Sequence, residues 1–296
     1  MIRRPDVTSV AEIPRGVLTG FAQIMLQPSP LVGAAFVAGA LWNGSVIATF
    51  GVLGCLAGLL TAVVLDYPRD ERRDGLYGFN GALVGLAMGY FYAASPLLAV
   101  PVVAGGAAST VVMHRMLRLG LRPLTFPFVA VTWLVMALAW VAGWPVEPAA
   151  APSPPAGPAA ISVADALARG VGQVLFQESV VTGAVLLVAV AVRDRTQGVY
   201  ALLATAFGLA AAYLAGFPVD AVNLGLFGYN GVLCGILFAG RTPKDLLSAV
   251  VAIALSILLV RLAHRLDIAA LTFPFVASSW LVLWARGQVA RRTTRT

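Results

Sequence analysis

Long apolar runs separated by short polar breaks dominate this chain, and they show no strict alternation of apolar and polar positions. Alternation would indicate the strands of a membrane barrel, whereas continuous runs predict helices, which pair their own backbone polar groups. The runs of the first half cover residues 16–27, 29–42, 45–65, 76–92, 97–113 and 124–143. Because the first run is short and several others fall below the roughly 20 residues that cross a bilayer core, we predict five spans and one partial helix, either re-entrant or tilted.

The chain repeats itself at an offset of 150 residues. The segment LYGFNGALVG at 76–85 aligns with LFGYNGVLCG at 226–235, and Gln23 aligns with Gln173. After a loss of three residues, LTFPFVA at 124–130 matches LTFPFVA at 271–277. Since five is odd, the second copy enters the membrane from the opposite face. We therefore predict an all-α integral membrane protein of two inverted-topology repeats, each with five transmembrane helices plus one partial helix, about ten spans in total.

A segment rich in Pro and Ala lies between the two copies and predicts an irregular linker. The predicted organisation is a first repeat at 1–144, a linker at 145–160 and a second repeat at 161–296.

The basic residues support this topology. Of the 20 Lys and Arg residues, all but Arg169, Arg261 and Arg265 fall on one side of the predicted bundle. Basic residues concentrate in cytoplasmic loops, so we expect a multi-pass protein of the plasma membrane (cell inner membrane) with both termini cytoplasmic. The same rule accounts for the net charge of +7, so the expected partner is the lipid bilayer and not nucleic acid.

The apolar runs contain almost no ionisable side chain, which favours a passive route for an uncharged solute over ion coupling. Glu178, next to Gln177 in the partial helix of the second repeat, is the exception. It lies opposite Pro28 in the repeat alignment, so no symmetric charged pair exists. Two interpretations stay open: an interfacial carboxylate that reaches the headgroups, or an ion-coupling group.

The glutamines Gln23 and Gln173 recur in the two partial helices. A buried amide is costly unless its polar atoms are paired, so each glutamine either bonds a neighbouring helix or offers its oxygen to a solute with N–H groups. Their recurrence in an inverted pair favours the second role, because such repeats hold their substrate near the midplane.

The Gly-aromatic-Asn-Gly segments place Phe79 and Tyr229 inside apolar runs. Two flat aromatic faces can bound a slot for a planar molecule, and Leu83 and Leu233 lie one turn further on the same face. Alternatively the glycines serve helix packing, and Asn80 and Asn230 tie neighbouring helices together.

The Thr-Phe-Pro-Phe segments form the third recurring element. Proline lacks a backbone N–H and breaks a helix, which leaves carbonyl oxygens that lipid cannot satisfy. Such oxygens are tolerated beside a polar cavity, and Thr125 and Thr272 would add hydroxyl groups there. A packing kink is the alternative.

At these motifs the chain resembles the urea transporter family, and the resemblance covers nearly its whole length. It implies a homotrimer whose subunits each hold a channel-like pore, with a narrow filter between the two halves through which urea passes by facilitated diffusion. It places filter residues at Gln23, Leu26, Phe79, Gln173, Phe176 and Tyr229. Val174, Leu83 and Leu233 are similar to further lining positions, and Thr125 and Thr272 to hydroxyl groups near rows of oxygen atoms. Leu26 and Tyr229 stand where the family pattern has phenylalanine.

Other functions remain as alternatives. The same slot would serve another small neutral solute, such as water, ammonia or a short amide, and an ion-coupled carrier would use Glu178. An enzyme would need a nucleophile with a base, or a metal cluster. The only histidines, His114 and His264, lie in basic loops, so we expect neither an enzyme nor a cofactor.

Overall fold

The computed structural model describes residues 12–143 and 160–293, and this part of the chain is helical without β-strands. Its helices are α1 (Ile13–Gln23), α2 (Pro30–Asn43), α3 (Ser45–Val64), α4 (Arg69–Arg73), α5 (Phe79–Phe91), α6 (Ala99–Arg118), α7 (Phe126–Val141), α8 (Val163–Gly172), α9 (Val180–Arg193), α10 (Arg195–Leu214), α11 (Val219–Asn223), α12 (Tyr229–Phe238), α13 (Pro243–Arg265) and α14 (Phe273–Thr293). Two 3₁₀ turns, Pro96–Leu98 and Gln173–Leu175, lead into α6 and follow α8.

The chain divides into two compact units. The first unit contains the described residues up to 143 together with Leu175–Gln177, and the second contains 160–174 and 178–293. The predicted linker lies outside the described residues, apart from Ala160.

Four segments are long and apolar enough to cross a membrane: Val46–Val64, Pro96–Arg118, Arg195–Leu214 and Pro243–Arg265. A fifth candidate is the broken pair Val163–Leu175 and Val180–Arg193, whose halves meet at 77°. The protein is therefore an all-α, multi-pass membrane protein. The break after α8 falls on the partial helix predicted from the sequence, and α1 ends in the same way before α2.

Local sequence explains how the chain restarts after each of these breaks. Ser29 caps α2, its hydroxyl accepting a hydrogen bond from the Val32 N–H at 3.5 Å, and Pro30 occupies the first turn, where its missing N–H has no consequence. In the second unit Ser179 caps α9 through the Thr182 N–H at 3.2 Å.

Two helix boundaries differ from the sequence prediction. The apolar runs at 76–92 and 226–235 become helical only at Phe79 and Tyr229, because the preceding turns pass through Gly75 (φ 77°) and Gly225 (φ 71°), a left-handed conformation that cannot continue a helix. The short helices α4 and α11 were not predicted, since five residues carry no periodic apolar pattern.

The two units share unusual backbone geometry. Leu26 and Phe176 adopt left-handed conformations at φ 60° and 56°, and Leu124 and Leu271 do so at φ 51° and 47°. These pairs are related by the same offsets as the sequence repeat. The repeat is therefore one of local structure as well as of sequence.

Close helix contact at a repeated glycine leads to a stability prediction. A methyl group on Gly33 of α2 would overlap the Leu18 carbonyl oxygen of α1. We expect Gly33→Ala to destabilise the purified protein by about 1–3 kcal/mol or more, because two backbones must separate. Gly44→Ala is the control, since nothing lies within 4 Å of the added carbon there. Equal melting temperatures for the two variants would contradict the contact.

Candidate functional site

Gln23 is the last residue of α1, and its side chain is tied to the backbone of the first unit. Its Nε2 donates to the Asp74 carbonyl oxygen at 2.9 Å. The contact is possible because the chain at Gly75 lies directly on α1, where an added methyl group would come 2.5 Å from the Gly20 nitrogen. Sequence proximity gives no hint of this partner, 51 residues away.

Gln173 has the corresponding environment in the second unit. Its Nε2 donates to the Leu224 carbonyl oxygen at 3.0 Å, and Gly225 lies against Gly170 of α8. Gln173 is buried, with 5% of its surface exposed.

These bonds fix which way each amide faces. A carbonyl oxygen requires a donor, so the NH₂ end must point at the backbone and the Oε1 end must point away. In the described part of the chain neither Oε1 receives a hydrogen bond. The buried side-chain atoms that lack a partner do not include either of these oxygens. Each glutamine thus presents an oriented, accessible acceptor.

Helix α4, which precedes Asp74, is held by charged groups. Arg69 forms a two-pronged ion pair with Glu12, with a shortest distance of 2.7 Å, and this guanidinium holds the pKa of the Glu12 carboxyl below its ordinary value. Glu71 bonds both Arg118 and the Tyr77 hydroxyl.

In the second unit, neutral groups replace most of this network. The Asn223 side chain of α11 accepts from the Ser162 N–H at 3.1 Å and donates to the Ala160 carbonyl at 3.0 Å. Both glutamine anchors therefore rest on a short helix that is itself fastened to the start of its unit.

Asn80 and Asn230 connect the glycine-rich helices to the Thr-Phe-Pro-Phe segments. The Asn80 Oδ1 accepts from the Phe128 N–H at 3.1 Å, and the Asn230 Oδ1 accepts from the Phe275 N–H at 3.0 Å. Each satisfies one of the N–H groups left unpaired in the first turn of α7 or α14. The helix-tying interpretation of these asparagines is confirmed.

The carbonyl groups before the two breaks differ between the units. Leu271 O accepts from the Asn230 Nδ2 at 3.1 Å and from the Tyr229 hydroxyl at 2.7 Å. Phe79 stands at the position of Tyr229 and has no hydroxyl, and within the described residues no donor reaches Leu124 O. Tyr229 thus donates a hydrogen bond to the backbone carbonyl just before the break. Its aromatic character alone did not predict this role.

The Phe176 ring belongs to the first unit, where it packs among aromatic side chains. Its centroid lies 5.5 Å from Tyr90, 6.2 Å from Phe91 and 6.3 Å from Phe128. Phe128 also carries the N–H that Asn80 binds. Sequence reasoning missed these three partners, although Phe128 lies within the repeated Thr-Phe-Pro-Phe motif.

The remaining predicted residues are mostly buried. Phe79, Leu83, Thr125, Val174, Leu233 and Thr272 each have at most 5% of their surface exposed, whereas Leu26 is half-buried. In the first unit, Phe128 links the Thr-Phe-Pro-Phe segment both to Asn80 and to the Phe176 ring. In the second, Tyr229 and Thr272 meet at the Leu271 carbonyl. Phe79 is not part of the ring cluster around Phe176.

Comparison with known proteins identifies the family of this chain. A family model described as urea transporter matches residues 15–287. The chain belongs to the urea transporter family. The family is one of transporters rather than enzymes, and urea transport by facilitated diffusion follows from membership.

The chain is also similar to individual members of the family. It is 24% identical to urea transporter 1 of Ovis aries over 293 residues, which cover 90% of this chain and 75% of the relative. Urea transporter 1 of Mus musculus is 24% identical over 242 residues, 76% of this chain and 62% of that protein. A shorter stretch of 75 residues, 25% of this chain and 20% of the relative, is 33% identical to urea transporter 1 of Rattus norvegicus.

The hydrogen bonds of Asn230 lead to a stability prediction. Asn230→Ala leaves the Phe275 N–H without its acceptor, and an unmade buried hydrogen bond costs about 1–3 kcal/mol. We expect a clear fall in melting temperature. Tyr229→Phe is the matched variant, because Leu271 O keeps its bond from Asn230, and we expect a smaller loss of about 0.5–1.5 kcal/mol. If the hydroxyl deletion destabilises more than the amide deletion, Asn230 is not the principal tie.

Proposed function

We propose that urea crosses the membrane through a narrow path in this chain whose polar contacts include the amide oxygens of Gln23 and Gln173. The lining residues are Gln23, Leu26, Phe79, Leu83, Thr125, Gln173, Val174, Phe176, Tyr229, Leu233 and Thr272. The observation that carries the proposal is the repeated tie of a glutamine Nε2 to a backbone carbonyl, which leaves the Oε1 as an oriented acceptor in each unit.

Urea is a planar molecule with four N–H bonds and one carbonyl oxygen, so its main cost on entering an apolar constriction is the loss of hydrogen bonds to water. An acceptor already held in place replaces one such bond with little further loss of side-chain freedom. Leu124 O is a further candidate acceptor in the first unit. In the second unit the matching oxygen already has protein donors, so the two units differ in the acceptors that they offer.

Apolar side chains supply the rest of the path. Leu83, Leu233 and Val174 are almost fully buried and carry no polar atoms to hold a hydrated ion. The Phe176 ring, fixed by its aromatic neighbours, provides a flat face for a planar solute. Leu26 stands where the family pattern has phenylalanine, and its smaller side chain would favour short amides as additional solutes.

The membrane arrangement is part of the same proposal. Two inverted repeats of five spans plus a partial helix, with both termini on the cytoplasmic side of the plasma membrane (cell inner membrane), agree with the separation of basic residues between the two sides. The homotrimer is proposed from the resemblance to the urea transporter family alone. In the first unit, Glu12, Arg69, Glu71 and Arg118 interact directly or through one short helix, which supports a single polar end for these segments.

The filter assignment predicts a loss of flux when an acceptor is removed. Gln173→Ala deletes the proposed hydrogen bond from urea to the Gln173 Oε1, which is worth about 1–3 kcal/mol. Urea flux per folded protein should therefore fall roughly 5-fold to 150-fold if the solute meets this amide at its highest barrier. Stopped-flow shrinkage of proteoliposomes in a urea gradient measures the flux, and Gln23→Ala should behave alike.

Ser256→Ala is the matched control for this test. Ser256 is buried and donates to Ile253 O of its own helix, so its truncation should leave flux unchanged. Reduced melting temperature with normal flux in both glutamine variants would end the filter assignment.

The topology is tested by labelling. A single cysteine placed in the 145–160 segment should react with a membrane-impermeant maleimide added to intact cells, because an odd number of spans puts this segment outside. The native Cys55 and Cys234 are buried, so the parent chain provides a low background. Reaction only after permeabilisation would contradict the inverted repeat.

A further inference from the structure

An apolar groove of about 230 Å³ runs between α10 and α13 of the second unit. Its lining residues are Tyr200, Leu203, Phe207, Leu246, Ala249, Val250 and Ile253. Four of them, Leu203, Phe207, Leu246 and Val250, have about half of their surface exposed, so the groove opens outward from the unit. It contains none of the proposed path residues.

The corresponding helices of the first repeat, α3 and α6, pack closely. There, Gly54 of α3 and Gly106 of α6 let the backbones approach, and a methyl group on Gly106 would lie 2.6 Å from the Gly54 carbonyl oxygen. In the second repeat, Ala204 and Ser256 occupy these positions. The larger side chains keep α10 and α13 apart.

Both helices begin at the same end of the groove. The Tyr200 hydroxyl of α10 donates to the Gly240 carbonyl at 2.9 Å, just before α13 begins, and Tyr200 and Leu246 line the groove together. From Tyr200 to Phe207 the helix rises about 10 Å, which fits within one leaflet of a hydrocarbon core of roughly 30 Å.

Positive charge surrounds this end. The basic side chains there are Arg193, Arg195, Arg241, Lys244 and Arg286. Of these five side chains, only Arg286 forms a salt bridge within the described residues, to Asp245 at 3.0 Å. The second carboxylate, Asp194, caps α10 by accepting from the Thr196 and Gln197 N–H groups. The positive ends of two helix dipoles add to the excess.

We propose that this groove binds one acyl chain of an anionic phospholipid, whose phosphate is held by Arg241, Lys244 and Arg195. An apolar groove that fits within one leaflet, with cations at its mouth that form no ion pair within the described residues, matches the two chemically different ends of such a lipid. A neutral lipid would fill the groove without using the cations, and free phosphate would use the cations without the groove.

The test is native mass spectrometry of the full purified chain with phosphatidylglycerol, phosphatidylcholine or inorganic phosphate added. Each basic residue near an anionic surface contributes roughly a 5-fold preference, so Arg241→Gln with Lys244→Gln should reduce the preference for phosphatidylglycerol about 30-fold. Millimolar inorganic phosphate should not displace the lipid.

Two groove-filling variants, Ala249→Phe and Leu203→Trp, should reduce retention of both lipids. Leu203 is exposed, so its variant is expected to fold even if the Ala249 variant does not. Leu247→Trp, on the same helix at an exposed position outside the groove, is the control and should retain lipid normally.

Three results would overturn the proposal. One is lipid retention by folded groove-filling variants equal to that of the control. Another is displacement of the lipid by inorganic phosphate alone. The third is an efficient disulfide between copies of a Leu203→Cys variant in membranes, which would show that a second copy of the chain covers the groove.

Discussion

A backbone that leaves the helix within a hydrocarbon core must find partners for its polar groups inside the protein, and this constraint organises both units. The breaks before α7 and α14 expose N–H groups, and Asn80 and Asn230 accept from them. The turns after α4 and α11 expose carbonyl groups, and Gln23 and Gln173 donate to them. Without these four amides the broken helices would carry unpaired groups, each costing several kcal/mol in lipid.

The side chains of Gln23 and Gln173 link a structural role to the proposed transport role. A side-chain amide has a donor end and an acceptor end, and the protein uses only one end of each glutamine. The Nε2 that bonds the turn also fixes the direction of the Oε1. Under the proposed function, such a residue would stabilise the turn and bind the solute at once, so the two interpretations drawn from the sequence are not exclusive.

Leu26 and Phe176 both have a strained backbone conformation. A left-handed conformation costs an ordinary residue of order 1–3 kcal/mol, and glycine would avoid it. Both positions nevertheless keep a large apolar side chain. At Phe176 that side chain reaches three aromatic rings of the first unit, and these contacts offset part of the backbone strain.

Much of the fold could be predicted from the sequence, because apolar runs and a long repeat are properties of the chain itself. The partial helices were predicted from short apolar runs, and the Thr-Phe-Pro-Phe breaks from proline chemistry and recurrence. The helix-tying role of the asparagines was one of two interpretations that the sequence left open. The partners of Gln23 and Gln173 could not be predicted, since a backbone carbonyl carries no sequence signature. The role of the Tyr229 hydroxyl could not be predicted either, because its acceptor, Leu271 O, is likewise a backbone atom. The difference between the packing of α3 on α6 and of α10 on α13 depended on Gly54 and Gly106, whose roles emerge only in three dimensions.

Leu175–Gln177 are part of the first unit although they follow the linker in sequence. The Gln177 Oε1 accepts from the Asn43 side chain at 3.0 Å, and Phe176 completes the ring cluster. During synthesis, residues 12–143 emerge first and domains tend to fold in that order. The first unit therefore cannot complete its aromatic cluster until the ribosome has synthesised the first turns of the other repeat. A gene cut at the linker would separate two repeats but would not yield two complete folding units.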